Sequence, residues 1–274
     1  MGKLIIGLGT GRCGTLSLAH LLCDQPGITM LHEGGIDDTT KRPLKWTGDH
    51  DNLLAWIGEL RSRYGSGEYF GDIGMYYLPY VEFLLGEVPE CRFICLERPR
   101  EHMVASYLKK TENFNHWYEH DGGVWQKNPF WDASFPKFPE PDKARALGLY
   151  WDAYHAEIER LVAQYPRHVA CFQTEVLNSS AGMNAILDFM GYSGPRHIAA
   201  SYAFNQKRSR LGQCISKLAL QAMDIAMAVG KPLLPQPLRH FLWTRFASTI
   251  HERLLHKTPI HPYRRDELDT VPNE

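Results

Sequence analysis

The sequence predicts a three-layer α/β/α fold, with a central, mostly parallel sheet between helices and a helical extension at its C-terminal end. Three observations lead there. Short apolar runs alternate with amphipathic helical stretches at close spacing from Leu4 to Met190, the pattern of a parallel sheet covered on both faces. The first run delivers a glycine-rich stretch onto a helix. The residues with chemistry to offer (Gly9–Thr15, His32, Glu33, Asp72 and Arg98) fall where strands end, and open parallel sheets hold ligands at the carboxyl ends of their strands.

Taken in order, Leu4–Leu8 reads as a buried strand and Gly14–Cys23 as a helix. Ile28–Leu31 is a second strand running into His32-Glu33-Gly34-Gly35. Residues 36–50 lack a period and read as loop. Leu53, Leu54, Ile57, Leu60 and Tyr64 mark one face of a helix over Asn52–Tyr64. Glu68–Ile73 is a third strand, followed by a helix over Leu78–Leu85. Arg92–Leu96 is the clearest strand, and Pro99 suits the first turn of a helix that continues to about Thr111. Residues 113–141 break the rhythm with Phe114, Trp117, Tyr118, Trp125, Phe130, Trp131, Phe135 and Phe138 among prolines and glycines. Such an insert is either a binding loop or lid, or a loop that packs its aromatics on the core. Ala144–Tyr165 is a strong amphipathic helix with Trp151 and Tyr154 on its apolar face. His168–Phe172 is a strand and Ala181–Met190 a helix ended by Gly191.

Over Leu211–His256 two helix-like segments carry Arg239, Arg245, Arg253 and Lys257. They read as helices covering the sheet, or as a basic face for a membrane or partner. The 274 residues are expected to form one domain, with a core over about 1–205 and the extension over about 206–274.

With 30 Lys and Arg against 31 Asp and Glu, the chain is not a general nucleic-acid binder. The six cysteines (Cys13, Cys23, Cys91, Cys95, Cys171 and Cys214) sit in apolar surroundings and are expected to be reduced thiols. No His, Cys or Asp grouping has metal-ligand spacing. No signal peptide, myristoylation signal or long apolar run is found, so the expected location is cytoplasmic. Oligomeric state is not legible.

The glycine stretch has the chemistry of a phosphate loop: free backbone N–H groups, a helix dipole and close approach where Cβ atoms are missing. Arg12 adds a planar cationic fork. A Walker A loop, GxxxxGK then Ser or Thr, is excluded. In the frame from Gly9 to Gly14, Thr15 stands at the lysine position and Leu16 at the hydroxyl position. Farther on, Arg98 ends a strand and Ser106 lies eight residues beyond it in the next helix, a second grip for an anion.

These two stretches together resemble the PAPS-dependent sulfotransferases, which share a P-loop-like fold. Gly11-Arg12-Cys13-Gly14-Thr15-Leu16-Ser17 answers the family's PRSGTT-type loop for the 5′-phosphosulfate. Arg98 with Ser106 answers its R-x-P-x(5)-S-like stretch for the 3′-phosphate. The resemblance covers residues 1–205 or so. It departs from the family at Cys13, usually Ser, and at Leu16, usually Thr or Trp. The family's late cofactor-covering loop is represented only by residues 205–210, including Lys207 and Arg208.

The resemblance implies PAPS as co-substrate, 3′-phosphoadenosine 5′-phosphate (PAP) as product, no metal, and a hydroxyl acceptor on a small molecule, lipid or carbohydrate. The aromatic insert is the candidate acceptor surface. Arg12 would neutralise the leaving phosphate. Glu33, His32 and Asp72 are the candidate bases, with Glu33 placed like the catalytic Glu of glycosaminoglycan and bacterial glycolipid sulfotransferases. The alternatives are a P-loop kinase, which wants a loop lysine and a Walker B acid, and a non-catalytic nucleotide-binding domain.

Overall fold

A computed structural model of the protein describes residues 2–35, 43–110 and 131–198. The chain divides into two units, Met1–Phe204 and Asn205–Glu274. Everything described belongs to the first, so the C-terminal helical extension, Lys207 and Arg208 lie outside the described residues.

Strands β1 (Lys3–Leu8), β2 (Ile28–His32), β3 (Tyr69–Ile73), β4 (Arg92–Glu97) and β5 (Val169–Gln173) form one sheet. Their order is β2-β3-β1-β4-β5 and every pairing is parallel. Helices α1 (Thr15–Cys23), α2 (His50–Tyr64), α3 (Val81–Glu87), α4 (Arg100–Lys110), α5 (Lys143–Gln164) and α6 (Ser180–Met190) link and cover them. The strands are near-continuous apolar runs because both faces of the sheet are buried.

Leu4, Ile6 and Leu8 pack on one face with Leu53, Ile57 and Leu60 of α2, Leu84 of α3 and Leu147 of α5. Strand alternation turns Ile5 the other way, onto the face shared by Tyr69 and Arg92. There the Tyr69 hydroxyl donates to the Gly191 carbonyl (2.6 Å) and the Arg92 guanidinium to that of Phe189, so α6 covers this side. The expected three-layer α/β/α fold is what the chain adopts.

Local chemistry sets the helix ends. The Asp142 side chain accepts from the Arg145 N–H (2.8 Å) to start α5, and Ser179 accepts from the Gly182 N–H (3.1 Å) to start α6. Gly191 ends α6 in the left-handed conformation, φ 72°. The helix expected over Leu78–Leu85 is instead a 3-10 turn over Met75–Tyr80 followed by α3. Pro79 has no N–H to continue an α-helical ladder through that turn. No helix among the described residues is long and apolar enough to cross a membrane. Cys13, Cys23, Cys91, Cys95 and Cys171 are free thiols.

Parallel register brings β3 onto β1 most tightly at Gly71, where a Cβ would overlap the Ile5 carbonyl oxygen. Gly71→Ala is therefore expected to destabilise by at least the ~1–3 kcal/mol of an overpacked core. Gly86→Ala on α3, where a Cβ meets open space, is expected to stabilise by up to ~1 kcal/mol. Urea unfolding followed by circular dichroism reads both. Equal effects would refute the close approach.

Candidate active site at the strand ends

Beyond β1 the chain turns sharply through Gly9, Gly11 and Gly14, with φ of 150°, 80° and 93°. Arg12 between them is also left-handed, φ 58°, a conformation that costs a non-glycine residue ~1–3 kcal/mol. The loop is held from outside. The hydroxyls of Tyr107 on α4 and Tyr150 on α5 both donate to the Thr10 carbonyl, at 2.7 and 3.1 Å. The Gly9 N–H donates to the Tyr154 hydroxyl at 2.9 Å. Thr174 Oγ1 bridges the carbonyls of Cys13 (2.7 Å) and Glu97 (2.9 Å). These carbonyls are thus engaged by the protein itself. No side chain caps α1 at Gly14, so its leading N–H groups have no side-chain partner there, as an anion-binding helix end requires.

Within this loop the predicted ligand residues differ in what they offer. Gly11, Arg12, Gly14, Thr15 and Leu16 are half-buried, whereas Cys13 and Ser17 are buried. The Cys13 sulfur occupies the space a Cβ on Gly9 would need. Burial pushes its thiol up to about 11, so Cys13 is a neutral packing group that presents only its backbone to a ligand.

The second grip closes onto the first. Arg98, just past β4, donates from Nη1 to the Arg12 carbonyl at 3.0 Å. Its own carbonyl accepts from the Trp151 indole N–H at 2.9 Å. Arg12 Nε donates to Ser106 Oγ at 3.1 Å. Arg12, Arg98 and Ser106, from three separate segments, therefore meet at the amino end of α1.

On the other side of β1, the ends of β2 and β3 carry the candidate bases. Glu33 is left-handed, φ 56°, and its N–H donates to the Ile73 carbonyl at 2.8 Å. Asp72 is fully buried. Its carboxylate accepts from the N–H groups of Gly34 (3.0 Å), Gly35 (2.8 Å) and Ile73 (2.8 Å) and from the Tyr77 hydroxyl (2.6 Å). The Trp56 indole N–H in turn donates to Tyr77, at 2.8 Å. With its lone pairs engaged in this way, Asp72 braces the turn that carries Glu33.

Burial raises Glu33 to about 7, with the Asp72 charge adding to the rise and Arg12 opposing it. His32 Nε2 lies 3.0 Å from Thr15 Oγ1. Burial, helped by nearby His20, lowers His32 to about 4, so it is neutral and only weakly basic near pH 7. Between Glu33 and His32, Glu33 has the pKa suited to taking a proton at neutral pH; burial raises Asp72 as well, against the pull of its four donors.

Tyr107, Tyr150, Tyr154, Trp151 and Thr174 hold the site but were not among the residues expected from sequence. The tyrosines and Trp151 carry the signal of an apolar stripe, which hides where a phenol or indole N–H points. The aromatic insert is described only from residue 131 onward. There Phe135 is buried edge-on to Tyr150, ring centroids 5.5 Å apart, and Trp131 and Phe138 pack against the core. Residues 113–130 lie outside the described residues.

No protein-family model matches the sequence, and no curated protein matches it either. Among solved structures, the chain is similar to a sulfotransferase from Alicyclobacillus acidocaldarius. That match has 16% identity and a TM-score of 0.46, and covers 84% of this chain and 95% of the other. It is also similar to the sulfotransferase domain from the curacin biosynthetic pathway, at 14% identity and a TM-score of 0.38, over 73% of this chain and 81% of the other.

Proposed function

We propose that the protein is a sulfotransferase that moves a sulfuryl group from PAPS to a hydroxyl of a small-molecule, lipid or carbohydrate acceptor and releases PAP. The observation that carries this reading is the meeting of Arg12, Arg98 and Ser106 at the uncapped amino end of α1. Two guanidinium groups, a hydroxyl and free N–H groups suit two phosphates. When bound, PAPS supplies the sulfuryl group.

The α1 N–H groups and Arg12 bind the 5′-phosphate and stabilise the charge it gains as its bond to sulfur breaks. A single such contact is worth ~3–4 kcal/mol in a transition state. Arg98 and Ser106 bind the 3′-phosphate. Glu33 takes the proton of the acceptor hydroxyl as its oxygen attacks in line. Lys207 and Arg208 are proposed as further phosphate contacts, and the insert at 113–141 as the acceptor surface. No metal ion enters this scheme. The free thiols accord with a cytoplasmic location.

Thermal unfolding tests the nucleotide. PAP at ~100 times its Kd should stabilise the protein by ~2.7 kcal/mol without Mg²⁺, and ATP with Mg²⁺ by much less. The reverse ranking would favour a kinase. Arg98→Ala should weaken PAP far more than adenosine 5′-phosphate. Equal losses would mean that Arg98 only supports the loop.

Glu33→Gln should abolish transfer while PAP still binds, and in the native enzyme kcat/KM should fall about tenfold per pH unit below about 7. Stability should move the other way. The folded-state value of about 7 lies above the ordinary 4.5, so burying Glu33 costs nothing below pH 4.5 and progressively more as pH rises through 7. Glu33→Gln should therefore gain stability over the native chain, up to about 3 kcal/mol above pH 7 and none near pH 4. A gain independent of pH would show that Glu33 is not desolvated.

A further inference from the structure

Beneath the glycine loop, three side chains from three elements converge: Glu97 at the end of β4, His155 on α5 and Cys171 in β5. One carboxylate oxygen, one ring nitrogen and one sulfur all lie within 4.8 Å of one another. His155 Nδ1 is 3.7 Å from Glu97 Oε2, and Cys171 Sγ is 3.6 Å from the same oxygen. His155 is only 3% exposed, yet neither of its ring nitrogens makes a hydrogen bond. A buried polar group without a partner is costly and uncommon. Its ring is fixed against Trp151, centroids 4.1 Å apart. The parallel pairing of Cys95 with Cys171 and of Glu97 with Gln173 sets Glu97 and Cys171 on the same face of the sheet.

We propose that Glu97, His155 and Cys171 form a binding site for a thiophilic divalent cation of the Zn²⁺ type. Zinc bonds of ~2.0–2.2 Å to nitrogen or oxygen and ~2.3 Å to sulfur imply tetrahedral edges of roughly 3.3–3.6 Å. The separations of 3.6 and 3.7 Å from Glu97 need only a few tenths of an ångström of contraction. The remaining edge, between His155 and Cys171, lies within 4.8 Å and closes by a turn of the side chains. A mixed sulfur, imidazole and carboxylate set favours zinc over magnesium or calcium, which prefer all-oxygen shells. Binding would give a ring nitrogen of His155 the close bond that its 3.7 Å approach to Glu97 does not supply.

Glu97 lies at the open edge of the cluster, its side chain 28% exposed. The cation would tie the ends of β4 and β5 to α5 just below the loop. This inference does not depend on the proposed sulfuryl transfer.

The test uses the full chain, purified free of metal, with Zn²⁺ and Co²⁺ as probes. One equivalent of Zn²⁺ should bind in competition with a chromophoric chelator, and Co²⁺ should show a thiolate-to-metal charge-transfer band. Cys171→Ser should abolish the band and weaken Zn²⁺ by about 100-fold or more, beyond the 10–100-fold that loss of an outer-shell partner costs. Cys23→Ser, whose thiol donates to the Met30 carbonyl instead, should retain both. If Cys171→Ser fails to fold, Glu97→Ala at the exposed edge should show the same loss of affinity. A native protein without the charge-transfer band, or a folded Cys171→Ser or Glu97→Ala variant with undiminished Zn²⁺ affinity, would overturn the proposal.

Discussion

The site depends on hydrogen bonds that pin a glycine loop from outside. A loop with Arg12 in the left-handed region is not self-supporting, at ~1–3 kcal/mol of strain. Against that stand the two phenols on the Thr10 carbonyl, the Tyr154 contact to Gly9, the Thr174 bridge and the Arg98 contact. At ~1 kcal/mol net apiece, these outweigh the strain. They also engage loop carbonyls that would otherwise repel an anion. The proposed anion binding thus rests on where carbonyl oxygens are sent as much as on where cations sit.

The same logic shapes the base. Asp72 and Glu33 are neighbouring carboxyls, and burial pushes both upward. For Asp72 the rise is opposed by three backbone N–H groups and a tyrosine hydroxyl, and burial still outweighs them. For Glu33 the opposing pull is the charge of Arg12. Two neighbouring carboxyls therefore differ in their surroundings, one held by four donors and the other, the proposed base, offset by a charge. The left-handed backbone at Glu33 marks the same place independently, since strain persists where surrounding contacts impose it.

Most of the fold was legible because periodicity reports burial directly: all five strands and the long helices lie where apolar spacing puts them. The break at Pro79 was not, since the apolar spacing there suits a 3-10 turn as well as an α-helix. In the site, the glycines announced a loop, and Arg98 and Ser106, singled out from sequence, lie against Arg12 of that loop. What sequence could not supply is direction. Asp72 stood among the candidate bases because a strand-end acid does not reveal how many donors surround it. Tyr154 looked like core because its ring is core, while its hydroxyl reaches the loop. Glu97, His155 and Cys171 escaped notice because ligand-spacing rules detect neighbours in sequence, and these three become neighbours only through the β4–β5 pairing and the packing of α5.

That helix is what makes the separate parts one device. Tyr150, Trp151, Tyr154 and His155 repeat at helical spacing, so they share one side of α5. Tyr150 reaches Thr10, Trp151 the carbonyl of Arg98, Tyr154 the N–H of Gly9, and His155 the carboxylate of Glu97. Loop, second grip and cation cluster are therefore indexed to a single rigid element of 22 residues. A side chain borne on a helix is placed more accurately than one borne on a loop. A shift of α5 that released one contact would have to release the others with it. Geometry at the strand ends is thus set by a helix that contributes none of the proposed phosphate ligands.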